Sequence, residues 1–518
     1  MAADLLRQEP GKAALPVERR GLLTVGLMIA TLLMVLDSTI ANVAIPHMQA
    51  SLGATMDEVS WVLTSYIIAS AVTMPIIGWV ADKFGSRELL LLCTGGFIVF
   101  SMLCGISTSI GEMVFFRVMQ GVFGAGISPL AQTVMMDINP PERQVKALSV
   151  WATGIMIGPL IGPLLGGWLT ESYNWRWVFF INVPLGIVSL LLLWALLPSR
   201  PRRERPFDLK GFFLLAAGLS MLQLFLDRGQ SQDWLNSWEI RIEIMLCISF
   251  AWLYIMHHFD TPHPVIERAT LRDRNFSLGL LLTMMIGSVM MSVMALLPLM
   301  MQSIYGHNVL STGMLLAPRG AGLMLTMYMS GSIIQHFDVR AVIASGFAIL
   351  AFSIWQMTGW TIEMGWMPMV VSGIIQGIGI GLVFVPLNAL SFATLSPAYR
   401  TEGASISGLV RNIGGSIGIS IMTALLARNL QISHQDLAGH IGPSSLMGIN
   451  PAMLEAAGAP GNAAIQMIDG AINQQALMIA YLDDFVLLMW WSLVPIPFLF
   501  LFGKMQRRGA ADHPPVFE

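Results

Sequence analysis

Runs of apolar residues long enough to cross a bilayer follow one another along almost the whole chain, separated by short polar turns. Fourteen such runs are read, over 22–45, 59–80, 88–108, 112–135, 147–171, 177–197, 210–226, 240–258, 276–301, 312–333, 341–359, 366–390, 403–427 and 483–503. The pattern predicts an all-α integral membrane protein. The first run is too long for a signal-peptide core and lacks a small-residue cleavage site, so it reads as a retained membrane helix. One long polar interval breaks the rhythm, from 428 to 481; poor in charge and rich in Ala, Gly, Asn and Gln, it reads as weakly amphipathic or irregular surface structure and as a candidate partner contact.

Lys and Arg orient these spans. With the N-terminus in the cytoplasm, 21 of the 28 basic residues fall in cytoplasmic segments, four (Arg176, Arg228, Arg241 and Arg428) fall outside, and Arg117, Arg319 and Arg411 lie within spans. An even number of spans returns the C-terminus to the cytoplasm.

The spans repeat. Gly78 to Arg87 aligns with Gly331 to Arg340, Gln120-Gly121 with Gln376-Gly377, and Pro46 and Gly53 with Pro298 and Gly306, all at an offset of about 253. Two six-helix bundles result, over 22–197 and 276–503, with 198–275 a linker carrying two inserted helices and 1–21 and 504–518 cytoplasmic tails. Parallel repeats about an axis along the membrane normal suit an alternating-access carrier with its cavity between the halves.

Composition agrees and narrows the field. The chain is 55% hydrophobic and only 11% charged, against roughly 25% charged in soluble domains. A net charge of −3 with no basic stripe gives no reason to expect nucleic acid. Cys93, Cys104 and Cys247 all sit in apolar spans, so no disulfide framework or thiolate metal site is indicated, and no cofactor is expected. A membrane-embedded enzyme would need an acidic metal cluster or a nucleophile–base pair, and Asp483-Asp484 is an acidic pair without companions.

Four motifs carry chemistry. In the loop after the second span, Gly78, Asp82, Gly85 and Arg87 form GxxxDxxGxR, whose carboxylate and guanidinium can hold the cytoplasmic side shut; the plainer reading is a topology-setting basic loop. The first span carries Leu36-Asp37-Ser38-Thr39-Ile40-Ala41-Asn42-Val43-Ala44-Ile45-Pro46, and an acid so placed is costly, faces a cavity or partner, and commonly relays protons. Asp37 is therefore the leading candidate for coupling, the alternative being a fixed packing acceptor. Arg117, Gln120, Gly121 and Gly124 share one face of span four, with Arg117 about 8 Å deep and Asp37 at a similar depth, so the two either meet or Arg117 snorkels outward. The fourth motif is GIMIGPLIGPLLGG in span five. Gly154, Gly158, Gly162 and Gly166 recur every four residues, with Gly167 beside them, and Pro159 and Pro163 each remove a backbone donor. The face is a small-residue packing seam or a bend where the two halves meet.

These motifs resemble the major facilitator superfamily, and within it the drug:proton antiporter branch. LDxTxxNxAxP, RxxQGxxGA and GxxxGPxxGP followed by GG are signatures there, and the fourteen-helix EmrB-type exporters are the nearest likeness. The resemblance implies proton-driven export of hydrophobic compounds from the bacterial inner membrane, without a cofactor. In Gram-negative bacteria it further implies a periplasmic membrane-fusion adaptor and an outer-membrane channel. Candidate cavity residues are Asn42, Tyr66, Gln120, Gln132, Arg319, Tyr328, Gln356, Gln376, Asn388 and Arg411, each with a plain packing alternative. Positive charge within spans outweighs acid, which favours neutral or weakly acidic lipophiles over dications. A dedicated exporter of one metabolite, such as a siderophore, shares every motif.

Overall fold

A computed structural model describes residues 13–15, 17–199, 202, 206–440 and 461–503; the tails, the basic linker residues Arg200, Arg203 and Arg205, and the middle of the long polar interval lie outside these. The described secondary structure is helical. Among the described residues, thirteen helices are long and apolar enough to cross a membrane: α1 (20–52), α2 (57–84), α3 (86–106), α4 (110–137), α5 (141–172), α6 (177–196), α7 (209–228), α8 (238–260), α9 (274–303), α11 (339–357), α12 (366–392), α13 (397–439) and α14 (468–501). A fourteenth, α10 (Val309–His336), is less apolar around Arg319 and packs on α12 and α5 within the bundle.

Local chemistry sets the boundaries. Thr55 caps α2 in a reciprocal box with Glu58, Asp273 accepts from the Phe276 amide to start α9, and Asn308 accepts from the Ser311 amide to start α10. The repeat is visible in the backbone. Gly53 ends α1 at φ 64° and Gly306 follows α9 at φ 67°, the same left-handed turn in each half. Inside α5 the helix breaks at Met156, three residues before Pro159, which has no N–H to offer the Ile155 carbonyl.

Helices α1–α6 and α9–α14 form two six-helix bundles. The inserted α7 and α8 lie at the periphery, with 17% and 11% of their apolar windows buried against 50% for α1. In the long polar interval α13 runs without a break to Gly439, and the helix that enters the α14 span is continuous from Gly461, so both described flanks are helical, not irregular. At 1.5 Å per residue the 40 residues from Arg400 reach ~60 Å, about twice the hydrocarbon thickness. The His434 ring meets Asp469 at 3.0 Å beyond the bundle and holds the two flanks together. The sequence concealed this because the segment has few charges and no strong apolar stripe.

The bundles touch on the face that carries the basic loops. Asp137, ending α4, pairs with Arg400, opening α13, at 3.4 Å with both side chains buried. A Cβ on Gly78 would stand 2.9 Å from the Glu402 Cβ, and one on Gly331 would stand 3.1 Å from the Lys146 Cα. Deeper in, Gln132 and Asn388 are 3.5 Å apart.

Candidate functional site

Asp37 sits in the middle of α1 with no solvent exposure, and every ligand it has comes from another helix. Arg117 of α4, equally buried, donates through Nη1 to Oδ2 at 2.6 Å. Gln120, one turn further along α4, donates to Oδ1 at 3.0 Å, and Asn182 of α6 donates to the same oxygen at 2.8 Å. Arg117 is held in turn: Nε donates to the Val62 carbonyl of α2 at 2.9 Å and Nη1 to Gln120 Oε1 at 2.8 Å. Its guanidinium lies over Tyr66, 4.6 Å from the ring centroid, and 5.5 Å from Phe179. Asn182 also donates to Ser101 of α3, whose hydroxyl donates to the Phe179 carbonyl, and the Cys104 thiol leans on Gln120 Oε1 at 3.8 Å.

Five helices, α1, α2, α3, α4 and α6, thus contribute to one sealed polar cluster around a single acid. A carboxylate in such a place needs either a cation or a proton, since an uncompensated charge is far too costly there. Arg117 is one donor short of full satisfaction, with Nη2 unpartnered, and so is Asn182 Oδ1. The cluster is therefore stable enough to exist and incomplete enough to open. Asn182, Ser101 and Cys104 were not among the candidate site residues, because nothing in linear spacing says that α3 and α6 converge on Asp37.

The glycine face of α5 lies against α1. A Cβ on Gly158 would meet Val35 and the Leu36 amide at 3.2 and 3.3 Å, on Gly162 it would collide with Thr39, on Gly166 it would reach the Ile40 carbonyl at 3.2 Å, and on Gly154 it would strike Met28. These neighbours bracket Asp37 on both sides. Gly167 has nothing within 4 Å. The residue that reaches the other half is Leu160, packed against Gly320 of α10. A four-residue spacing keeps all four glycines on one face, and one neighbour fills it.

In the loop motif, Gly85 adopts φ 102°, a conformation that favours glycine, and it joins α2 to α3 without an intervening residue. Arg87 donates to the Trp194 carbonyl of α6 at 2.8 Å, inside its own bundle. Asp82 lies within the last turn of α2.

The other candidates are dispersed. Arg319 and Arg411 are half-buried, Arg411 with its Cζ 5.5 Å from the Phe384 ring. Arg319 adjoins Gly320, where α10 meets α5. Asn42 is exposed and donates to the Ser38 carbonyl, and Tyr328 is 58% exposed. Gln376 is fully buried, and neither amide atom has a partner among the described residues. Gln356 lies away from the bundle seam, in a cavity of about 220 Å³ at the far end of the second bundle with Trp360, Met364 and Ser372.

The family profile described as Major Facilitator Superfamily matches residues 27–419. The chain belongs to the major facilitator superfamily. It is 34% identical over 425 residues to the multidrug export protein EmrB of Haemophilus influenzae, covering 82% of this chain and 83% of that one. It is 31% identical to EmrB of Escherichia coli K12, covering 82% and 83%, and 31% identical over 496 residues to the fatty acid resistance protein FarB of Neisseria gonorrhoeae, covering 95% and 97%. Among solved structures, the human organic anion transporter MFSD10 superposes with TM-score 0.58 at 13% identity, covering 92% of this chain and all of that one. A bacterial homologue of the human lysosomal transporter Spinster superposes with TM-score 0.54 at 17% identity, covering 93% and 96%, and both establish the fold alone. Within the superfamily the chain is of the EmrB type, a multi-pass inner-membrane transporter and not an enzyme.

Proposed function

We propose that the chain is a proton-coupled antiporter that exports hydrophobic compounds, neutral or weakly acidic, out of the cytoplasm. The observation that carries this reading is the fully buried Asp37–Arg117 pair at 2.6 Å, and on this reading the carboxylate is neutralised either by Arg117 or by a proton. A proton arriving from outside displaces Arg117 and loosens the contacts of α4 and α6 on α1, which favours return to the inward-facing state. Loss of that proton inside re-forms the pair and readies the cavity for cytoplasmic substrate. With the basic loops on the cytoplasmic side, the Asp137–Arg400 pair and the Gly78–Glu402 contact close the cytoplasmic end in the arrangement described.

The substrate class rests on Arg319 and Arg411. Neither forms an ion pair with an acid among the described residues, and two half-buried cations within spans disfavour dications and attract weak organic acids. The names of the relatives EmrB and FarB, multidrug export and fatty acid resistance, point the same way. The helical flanks Arg428–Gly439 and Gly461–Ala480 stand beyond the apolar spans on the outer side and are the surface proposed for a periplasmic adaptor that leads to an outer-membrane channel. The test is reconstitution. Proteoliposomes holding a pH-sensitive dye should report proton release when a lipophilic weak acid is added, and transport without proton movement would overturn the antiport. Sensitivity of a deletion strain to several unrelated lipophiles supports broad export; loss of one metabolite's export alone supports a dedicated carrier.

A further inference from the structure

The inserted helix α7 is peripheral by burial, yet two of its polar residues, Asp227 and Gln223, make contacts with the first and the second bundle respectively. Asp227 Oδ2 accepts from Thr64 Oγ1 of α2 at 2.7 Å. Gln223, 3% exposed, donates from Nε2 to Ser416 Oγ of α13 at 3.0 Å and to Asp227 Oδ1 at 3.3 Å. Ser420 of α13 donates to the Leu226 carbonyl at 3.0 Å. One turn further in, Leu219 and Ile413 pack on a cluster of Ala71, Met74, Ala125 and Leu409, which draws on both bundles. Leu219, Gln223 and Asp227 are four residues apart and share one helix face, which lies along the seam between α2 and α13. The charge next to them, Arg228, is turned away and paired with Glu239 and Glu243 of α8.

The α2 end of this strap lies beside the proton site. Val62, whose carbonyl accepts from Arg117 Nε, is two residues from Thr64. Two polar links therefore meet on one stretch of α2: Asp37 and Arg117 reach the Val62 carbonyl on one side, and Thr64, on the other side of the same turn, continues through Asp227 and Gln223 to Ser416 in the second bundle. A helix that served only to fill lipid would place Leu where Gln223 stands, because a polar side chain in a bilayer is favourable only when its partners are fixed.

We propose that α7 is a coupling strap, and that Thr64, Asp227 and Gln223 are positioning residues that convey the state of the Asp37–Arg117 pair to the second bundle. The inference rests on the antiport reading above. Thr64→Val and Gln223→Leu each remove one link without adding charge. In proteoliposomes both should lower the protons released per substrate moved by about tenfold, the effect of losing one buried hydrogen bond. Substrate binding to the purified protein should stay within about twofold. Asp227→Asn, which keeps an acceptor for the Thr64 hydroxyl, should retain most of the coupling. An unchanged ratio in both variants, with only the yield of folded protein reduced, would overturn the strap. If the unmutated protein released no protons, the antiport reading would fall instead. The strap is then tested by the distance between spin labels on the basic-face ends of α4 and α13: a substrate-dependent shift lost in the variants supports it, and a shift they leave intact sinks it.

Discussion

Replacing Asp37 by Asn separates the two jobs assigned to that residue. The carboxylate accepts from Arg117, Gln120 and Asn182, three donors on two oxygens. An amide offers one oxygen and presents its own NH2 to the remaining donors, so one side of the cluster becomes a donor–donor clash while the Arg117 cation stays buried without a counter-charge. Removing one partner of a buried pair costs roughly 3–5 kcal/mol. At about 1.4 kcal/mol per tenfold, the state with the cluster closed should lose roughly 10²- to 10⁴-fold in population relative to states that let water reach Arg117. Two measurements follow in liposomes and in detergent. Substrate-induced proton release should vanish, and the thermal transition of the purified protein should fall. Adding Arg117→Gln to Asp37→Asn removes the stranded cation, so the double variant should recover much of the stability while remaining uncoupled. The decisive quantity is the interaction energy of that double-mutant cycle, which should be large and favourable to the pair. A double variant less stable than Asp37→Asn alone would refute the ion-pair account, and an Asp37→Asn protein that still exchanges protons would refute the coupling.

The glycine face predicts a contrast within one motif. Gly162→Ala meets Thr39 and should cost about 1–3 kcal/mol of packing while blocking transport, whereas Gly167→Ala meets nothing and should be silent; membrane insertion measured by protease protection should be intact in both. If Gly162→Ala transported normally, the close approach of α5 to α1 would be incidental. Asp137→Asn weakens the pair with Arg400 and should favour opening at the basic face, read as about tenfold faster maleimide labelling of a cysteine placed at Gln132; unaltered labelling would remove that pair from the closure. Gly85→Ala places a Cβ at φ 102° and should cost about 1–3 kcal/mol in thermal stability, and an unshifted transition would contradict the strained elbow.

Much of this fold was legible because hydrocarbon imposes a length and a period on any sequence that crosses it. The spans, the repeat and the insert all follow from that constraint, and paired turns such as Gly53 and Gly306 show it in the backbone. The pairing of Asp37 with Arg117 was legible in part. Depth alone brought the two to one level, and chemistry supplied a reason to meet. What lay hidden was lateral order. Nothing in the chain reveals that α6 stands beside α1, so Asn182 could not be placed, and nothing reveals which neighbour the α5 glycines face. The partner of Arg400, the residue Asp137, is 263 positions away on the other bundle, and a link that long leaves no local pattern. Gln356 erred the other way: a polar residue in an apolar span suggests a cavity, but it lines a separate one.

The placement of the glycines beside Asp37 suggests why the two motifs belong to one device. An acid that alternates between a guanidinium and a proton needs its helix held closely in both states, because a gap at α1 would admit water and short-circuit the exchange. Side chains of ordinary size interlock, and an interlocked helix cannot slide without large rearrangement. Gly158, Gly162 and Gly166 let α5 lie backbone-close to Leu36, Thr39 and Ile40, the turns on either side of the acid. A smooth contact of that kind excludes water yet permits small displacement. Across the α5 helix, Leu160 touches Gly320 next to Arg319, so one element carries the wall of the Asp37 cluster on one face and the margin of the seam between the bundles on the other. Movement of α1 when Arg117 lets go must then be felt at Arg319, and a bulky side chain at Gly158 should uncouple the two before it prevents either binding event.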